Sequence, residues 1–531
     1  MKKIEKIIII GAGLGGLTHG ILLKSANPDI NVEIYDMNSY PGGFCFSFKK
    51  STMHENEKVT YTINLPVVTT DFEDEGRLGL FLKFLGIKNI RWEHIKFPFA
   101  YYSPDEKPFI YSHDKISDIV DLFPADEKSK AVDLFSEMQR IFHDVLNKIR
   151  LNPTPVQAIK MLFTMPETML FLIKNRTYHK HIQKKGIKTP YLQDMLCIAE
   201  SFMGVEPERA SALAEIVTIQ SLLTSNPMQP AMGDNFQTLS KRFADRFIEL
   251  GGKIYLNSKV DSVVFNKNKA EGIRINGRVE KSDAVILAVA QDKIKELIQE
   301  GKSISKIKKT ISNIDKIGFA NTDYYAYYLI DKKVVDKEPR LLDVSSHIYR
   351  RYNKTTGKHW NLNMFIPKEL INDKYYLMSL FYVEKDQDAI NQWIDQKTNN
   401  YPLYEEKKKI IDDMLLSEFI DSEPIFKEIP PLKKLISISP ASYEPYGSKY
   451  PINGLAQTPM NFGLTRMQPV LLDNCFISGG ASFSAGIWGA LAGGWSSFTA
   501  SYKKLFGIKI GDNSLMFKPG MKGCDFTSSR N

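Results

Sequence analysis

Gly11, Gly13 and Gly16 stand in G-x-G-x-x-G spacing, with Ala12 after the first and Gly15 just before the last. This spacing serves an anion. The first glycine allows a tight turn, the second lets a pyrophosphate approach the backbone, and the third lets a helix lie close on a sheet. Asp36 follows twenty residues after Gly16, where a carboxylate can accept both hydroxyls of an adenosine ribose and would repel a 2′-phosphate. Together these residues point to a dinucleotide site.

Elements must hold them in place. Ile7 to Ile10 is a run of four isoleucines, which reads as a buried parallel strand. Leu17, Ile21 and Leu22 recur at helical spacing, so the glycines sit on a strand-to-helix turn whose helix N-terminus offers free N–H groups. A second strand, Asn31 to Tyr35, ends on Asp36. After five intervening residues comes the pair Gly42-Gly43, where the chain passes a phosphate or flavin again. This D-x5-G-G extension resembles the signature of the two-dinucleotide-binding-domain flavoproteins, which include amine oxidases, phytoene desaturases and carotenoid isomerases. The resemblance implies FAD. Many members have Arg or Lys after the paired glycine; here Phe44 takes that place.

Two further blocks carry the same resemblance. Pro230 to Ala290 is similar to the family's P-x-G-G…L…G-G-x-I…V-x-x-I segment, with Met232 at the first of the paired glycines. Phe236, Leu239, Phe243, Phe247 and Leu250 define one helix face, with Asp234 expected to cap it and Gly251-Gly252 to end it. By position, Val260 matches the residue whose backbone meets the adenine. Cys475 to Ser501 resembles the closing motif: a short strand, Gly479-Gly480, then a small-residue helix from Ala485. In the family that helix points its N-terminus at the flavin pyrimidine and stabilises negative charge there; Gly486, Ile487 and Trp488 would take this role. The acid that many members use on the ribityl chain would fall at Gly480. A weaker match, Thr60 to Pro66, has Asn64 and Leu65 where desaturases carry an acid and a glycine.

At 531 residues two domains are the default. Hydrophobic content of 43% and charged content of 25% are those of an ordinary globular protein. Seventy basic against 61 acidic residues give a net charge of +9, a mild bias that fits an anionic membrane or ligand and does not argue for nucleic acid. Cys45, Cys197, Cys475 and Cys524 have no paired spacing, so neither a disulfide framework nor a zinc motif is expected, and a reducing cytoplasmic setting fits.

Between about 96 and 230 the pattern turns helical, as in a substrate or cap domain, and Pro207 to Ala214 resembles the small-residue helix after which the family returns to the flavin domain. Val156 to Ile173 is its most apolar part, interrupted by Lys160, Pro166 and Glu167, and Lys174, Arg176, Lys180, Lys184, Lys185 and Lys188 follow. Either this segment forms cap core beside a solvated basic face, or it lies in a lipid headgroup region. His179 and His181 are expected to be a solvated pair, and His19 to be packed or exposed without a catalytic role. From 301 to about 450 strands alternate, rich in tyrosine: Tyr324, Tyr325, Tyr327, Tyr328, Tyr375, Tyr376 and Tyr382. Such a sheet can wall an apolar tunnel, or the aromatics can simply be good strand residues.

The expected fold is α/β: a Rossmann-like FAD-binding domain of the glutathione reductase type from 1–95, 230–300 and 455–507, a mixed α+β substrate or cap domain from 96–229 and 301–454, and a polar tail at 508–531. The resemblance implies an FAD-dependent oxidoreductase acting on a long apolar isoprenoid or polyene, by desaturation or double-bond isomerisation. It would be cytoplasmic, with peripheral contact at the inner face of a membrane. Two alternatives stay open: a flavin-free prenyl-binding escort protein of the same fold, and an amine oxidase. No Ser/His/Asp or Cys/His arrangement and no catalytic carboxylate pair is evident, so no acid or base is assigned. No metal site is expected.

Overall fold

The computed structural model describes residues 3–65, 69–70, 76–103, 108–111, 116–149, 155–174, 176–198, 200–224, 227–231, 233–353, 358–384, 387–448, 454–459, 469–484, 486–508 and 510. Pro66, Met232, Ala485, Cys524 and nearly all of the expected tail lie outside them.

Strand β1 (Lys6–Ile10) is central in a six-stranded sheet. The order is Lys253–Tyr255, β2 (Asn31–Tyr35), β1, Ala284–Leu287, Cys475–Ile477 and Val470–Leu472. The first five run parallel, with Ile7 opposite both Val32 and Ala284, and the last is antiparallel. Alternation along β1 serves two cores. Ile7 and Ile9 pack with α1 (Leu14–Ala26), helix Phe236–Glu249 and the closing helix Gly486–Phe506. Ile8 and Ile10 pack with the antiparallel strands Val260–Asn266 and Lys269–Ile275 and with helices Gln291–Leu297 and Ser305–Ile317. A strand covered on both faces needs the uninterrupted apolar run that the sequence carries.

α1 and the closing helix meet almost backbone to backbone. A Cβ on Gly494 would stand 2.8 Å from the Gly15 carbonyl oxygen, and one on Gly15 3.1 Å from the Ala490 carbonyl oxygen. His19, fully buried in α1, bridges Ser478 and Ser501 through its two ring nitrogens (3.3 and 2.9 Å) and is driven by burial down to about 3, hence neutral.

A second sheet of eight strands is ordered Lys433–Ile438, Thr322–Asp331, Tyr375–Glu384, Lys358–Phe365, His347–Asn353, Phe99–Tyr102 and Phe109–Tyr111, with Leu370–Ile371 on the Tyr375 strand. The tyrosines divide by the two-residue period. Tyr324 and Tyr328 face Trp393, Leu415 and Phe419, while Tyr325 and Tyr327 face Phe46, Ile63 and Tyr443. Thr60 to Leu65 belongs to a hairpin, Phe46–His54 with Glu57–Leu65, whose Asn64 accepts a hydrogen bond from Ser47 (2.6 Å).

Three local expectations are corrected. The cap of Phe236–Glu249 is Asn235, whose side chain accepts the Thr238 N–H (2.9 Å); Asp234 instead accepts the Arg91 N–H (3.1 Å). The helix expected at Pro207 starts only at Ala212, because the Ser211 and Ala212 amides bond to Gln457 and Arg176 carbonyls. His181 is buried, not solvated: its ring edge meets Phe171 and its Nε2 lies 3.0 Å from Glu137, which also pairs with Lys185.

Burial alone would raise the Glu137 carboxyl, but His181 and Lys185 hold it down to about 2. A carboxyl lowered by folding stabilises the fold above its unfolded value of 4.5, and that contribution is lost as pH falls towards 2. Thermal melts between pH 5 and 2 are expected to show a steeper loss for the wild type than for Glu137→Gln, the variant being already weakened at neutral pH.

Cys45, Cys197 and Cys475 are buried, and no metal-ligand cluster occurs among the described residues. Nor is any single described helix long and apolar enough to cross a membrane; Pro155–Thr164 and Pro166–Lys174 reach that length together but are bent by 107°.

Candidate functional site: a dinucleotide cavity

A cavity of about 590 Å³ opens where the first sheet's parallel strands end, the place where open α/β sheets bind ligands. Gly11, Gly13, Gly15, Asp36, Gly42, Gly43, Val260, Gly479, Gly480, Gly486 and Ile487 all line it. Residues from the start, middle and close of the chain thus share one concavity. Ala12, Gly16 and Trp488 do not line it. Ala12 gives its N–H to Asp36, and a Cβ on Gly16 would strike the Gly11 carbonyl 2.2 Å away, so that glycine sets how closely α1 lies on the sheet. Trp488 turns its ring edge-on to Phe81, in the core.

The turn is held by its own backbone. Gly11 N–H donates to Tyr35 O (2.8 Å) and Gly42 N–H to Ala12 O (2.7 Å), which docks the second glycine pair on the first. Gly42 and Gly43 have φ of 116° and 60°, a region that favours glycine. Asp36 accepts Ala12 N–H on one oxygen (2.7 Å) and Asn38 N–H on the other (2.8 Å). Burial nonetheless raises its carboxyl above the usual range.

A flavin dinucleotide fits these residues. At Gly13 a Cβ would meet nothing within 4 Å, so the space above the α1 N-terminus is free for a phosphate, and the first-turn amides there have no intrahelical partner. Asp36 keeps lone pairs for ribose hydroxyls, Val260 and Ala288 can flank an adenine, and the closing helix begins at the cavity with Gly486. Replacing Asp36 with alanine is expected to weaken FAD binding by about 10- to 100-fold, from lost hydrogen bonds to a charged acceptor. Fluorescence titration of the apoprotein would measure it.

Tyr325, Tyr443 and Tyr446 line the same cavity. Tyr325 stacks on Phe381 (4.9 Å) and donates to Asp323 (3.1 Å). Asp323 is buried; its other oxygen has no hydrogen-bond partner among the described residues, and burial pushes its carboxyl up to about 7. The buried Tyr327 and Tyr443 hydroxyls also have none. Sequence reasoning missed Asp323 and Tyr443. An acid inside the otherwise buried strand TDYYAYYLI was the available signal for Asp323; Tyr443 had none.

Fold and site define a dinucleotide-binding flavoprotein. Residues 9–71 match the NAD(P)-binding Rossmann-like domain and residues 161–355 the flavin containing amine oxidoreductase family. The chain is an FAD-dependent oxidoreductase whose residues 161–355 are similar to the flavin containing amine oxidoreductases. That removes the flavin-free escort reading.

Solved structures share the fold over nearly their whole length. An oxidoreductase from Methanosarcina mazei is 14% identical with a TM-score of 0.61, covering 92% of this chain and 99% of its own. Cyclohexylamine oxidase from Brevibacterium oxydans is 12% identical with a TM-score of 0.59, covering 95% and 100%. Putrescine oxidase bound to putrescine is 13% identical with a TM-score of 0.58, covering 94% and 98%. No curated protein matches the chain in sequence.

Proposed function

We propose that the enzyme desaturates or isomerises a long apolar substrate of the isoprenoid or polyene kind, as phytoene desaturases and carotenoid isomerases do. The observation that supports this is the aromatic wall on the substrate side: Tyr325 and Tyr443 line the cavity together with Phe44 and Ile487, backed by Tyr327, Phe365 and Phe381. FAD supplies the capacity to take up a hydride from a C–H bond beside a conjugated system. The protein's part is placement and dryness. The wall positions the chain and excludes water, and the closing-helix amides favour negative charge at the pyrimidine end. Such a substrate partitions into bilayers, so the enzyme works peripherally at the inner face of a membrane.

A second reading, amine oxidation, is favoured by one observation. Residues 161–355 match the flavin containing amine oxidoreductase family, and a cyclohexylamine oxidase and a putrescine oxidase share the fold. Anaerobic mixing of oxidised holoenzyme with detergent-solubilised polyenes or with amines separates the two. Bleaching by polyenes alone, or their isomerisation by the pre-reduced enzyme, supports the first reading. Bleaching by amines alone replaces it with the second.

A further inference from the structure

Helices Pro155–Thr164 and Pro166–Lys174 are buried along one edge only. Met161, Met169 and Leu172, with Met165 at the bend, enter the core of the helical region. The other edges turn large apolar side chains to solvent: Val156 is 76% exposed, Ile159 54%, Phe163 81%, Leu170 49% and Ile173 60%. Val156, Ile159 and Phe163 recur at helical spacing, so they form a stripe. A contiguous apolar surface of this kind marks a docking site.

Charge identifies the occupant. Lys160 and Lys174 are exposed on the same two helices. The neighbouring helix Tyr178–Lys185, joined through Phe171 against His181 (5.1 Å), adds exposed Lys180 and Lys184. Lys148 reaches the Thr164 carbonyl at the bend (3.3 Å). The described acid of the pair, Glu167, is held by Arg140. Apolar side chains flanked by long lysines match the boundary between acyl chains and anionic headgroups. The 107° bend and the half-buried edges prevent the pair from spanning as one rod.

We propose that this face docks on an anionic lipid bilayer, with Val156, Ile159, Phe163, Leu170 and Ile173 entering the acyl boundary and the lysines meeting lipid phosphates. The proposal rests on the reading of the enzyme as a peripheral membrane protein, not on its substrate class.

Full-length holoenzyme is sedimented with phosphatidylcholine vesicles, with and without phosphatidylglycerol. Wild type is expected to bind the anionic vesicles, and less so in high salt. Val156→Asp/Phe163→Asp should bind at least about tenfold more weakly, and Lys160→Glu/Lys174→Glu more weakly by about fivefold per charge at low salt. Because all four side chains are exposed, the flavin spectrum should be retained; should the aspartate pair lose it, the lysine pair decides. If wild type ignores anionic vesicles, both the surface and the peripheral reading fall. If wild type binds and the variants bind equally well, only this surface falls. If the apolar variant instead turns a dimer into a monomer on size exclusion with vesicle binding unchanged, the face is covered by a second copy and the proposal is overturned.

Discussion

Gly13→Ala is expected to leave the protein folded and to deprive it of flavin. Gly13 has φ of −68° and ψ of 167°, which any residue adopts, and its Cβ would touch no protein atom within 4 Å. The methyl enters only the space where a phosphate must sit. An overpacking cost of about 1–3 kcal/mol then falls wholly on the complex, weakening FAD roughly 5- to 150-fold. Gly15→Ala makes the contrast. Its Cβ meets Gly479 Cα at 2.2 Å and Ala490 O at 3.1 Å, backbone atoms that cannot rotate away. That variant should lose stability before any question of cofactor arises. Melting temperatures of the two apoproteins, set beside their flavin content, check both. Equal melting temperatures would contradict this account of the helix contact.

The second large effect concerns Asp323. Its carboxyl is raised by burial from 3.8 to about 7, with the Tyr325 hydrogen bond opposing only in part. The folded state therefore holds a proton that the unfolded state has released, and stability falls as pH rises between these values. Asp323→Asn keeps an acceptor for Tyr325 and carries no charge. Denaturant midpoints should show the variant more stable than wild type at pH 8, by about 1–4 kcal/mol, with the difference vanishing near pH 4. Catalysis offers a second readout. With an apolar substrate, kcat/KM should decline above about pH 7 in wild type and stay level in Asp323→Asn.

Much of this arrangement was readable from residue order. The isoleucine run, the glycine spacing and Asp36 lie within thirty residues, so local rules of turn and strand suffice to place them. The closing block was legible for the same reason: Gly479 and Gly486 have φ of 73° and 76°, which few other residues tolerate. Trp488 shows the limit. Its neighbour Ile487 lines the cavity, and one residue of helical rotation sends the Trp488 ring against Phe81 instead. His181 was misread because Glu137, which meets it, is remote in sequence. Asp234 and Asn235 are both good caps, and only the extended backbone of Asn235 (φ −161°) selects between them. Tyr443 reaches the cavity through a turn after strand Lys433–Ile438 that carries no motif.

The contact between α1 and the closing helix also governs when the enzyme can become active. The glycine turn leaves the ribosome early, but the partners of Gly15, Gly479 and Gly494, lie far along the chain from it. Every nascent chain therefore waits, with its phosphate cradle half built, until that distant helix has emerged. Flavin capture is in consequence tied to the synthesis of this helix, and a message cut short before it would yield only colourless protein.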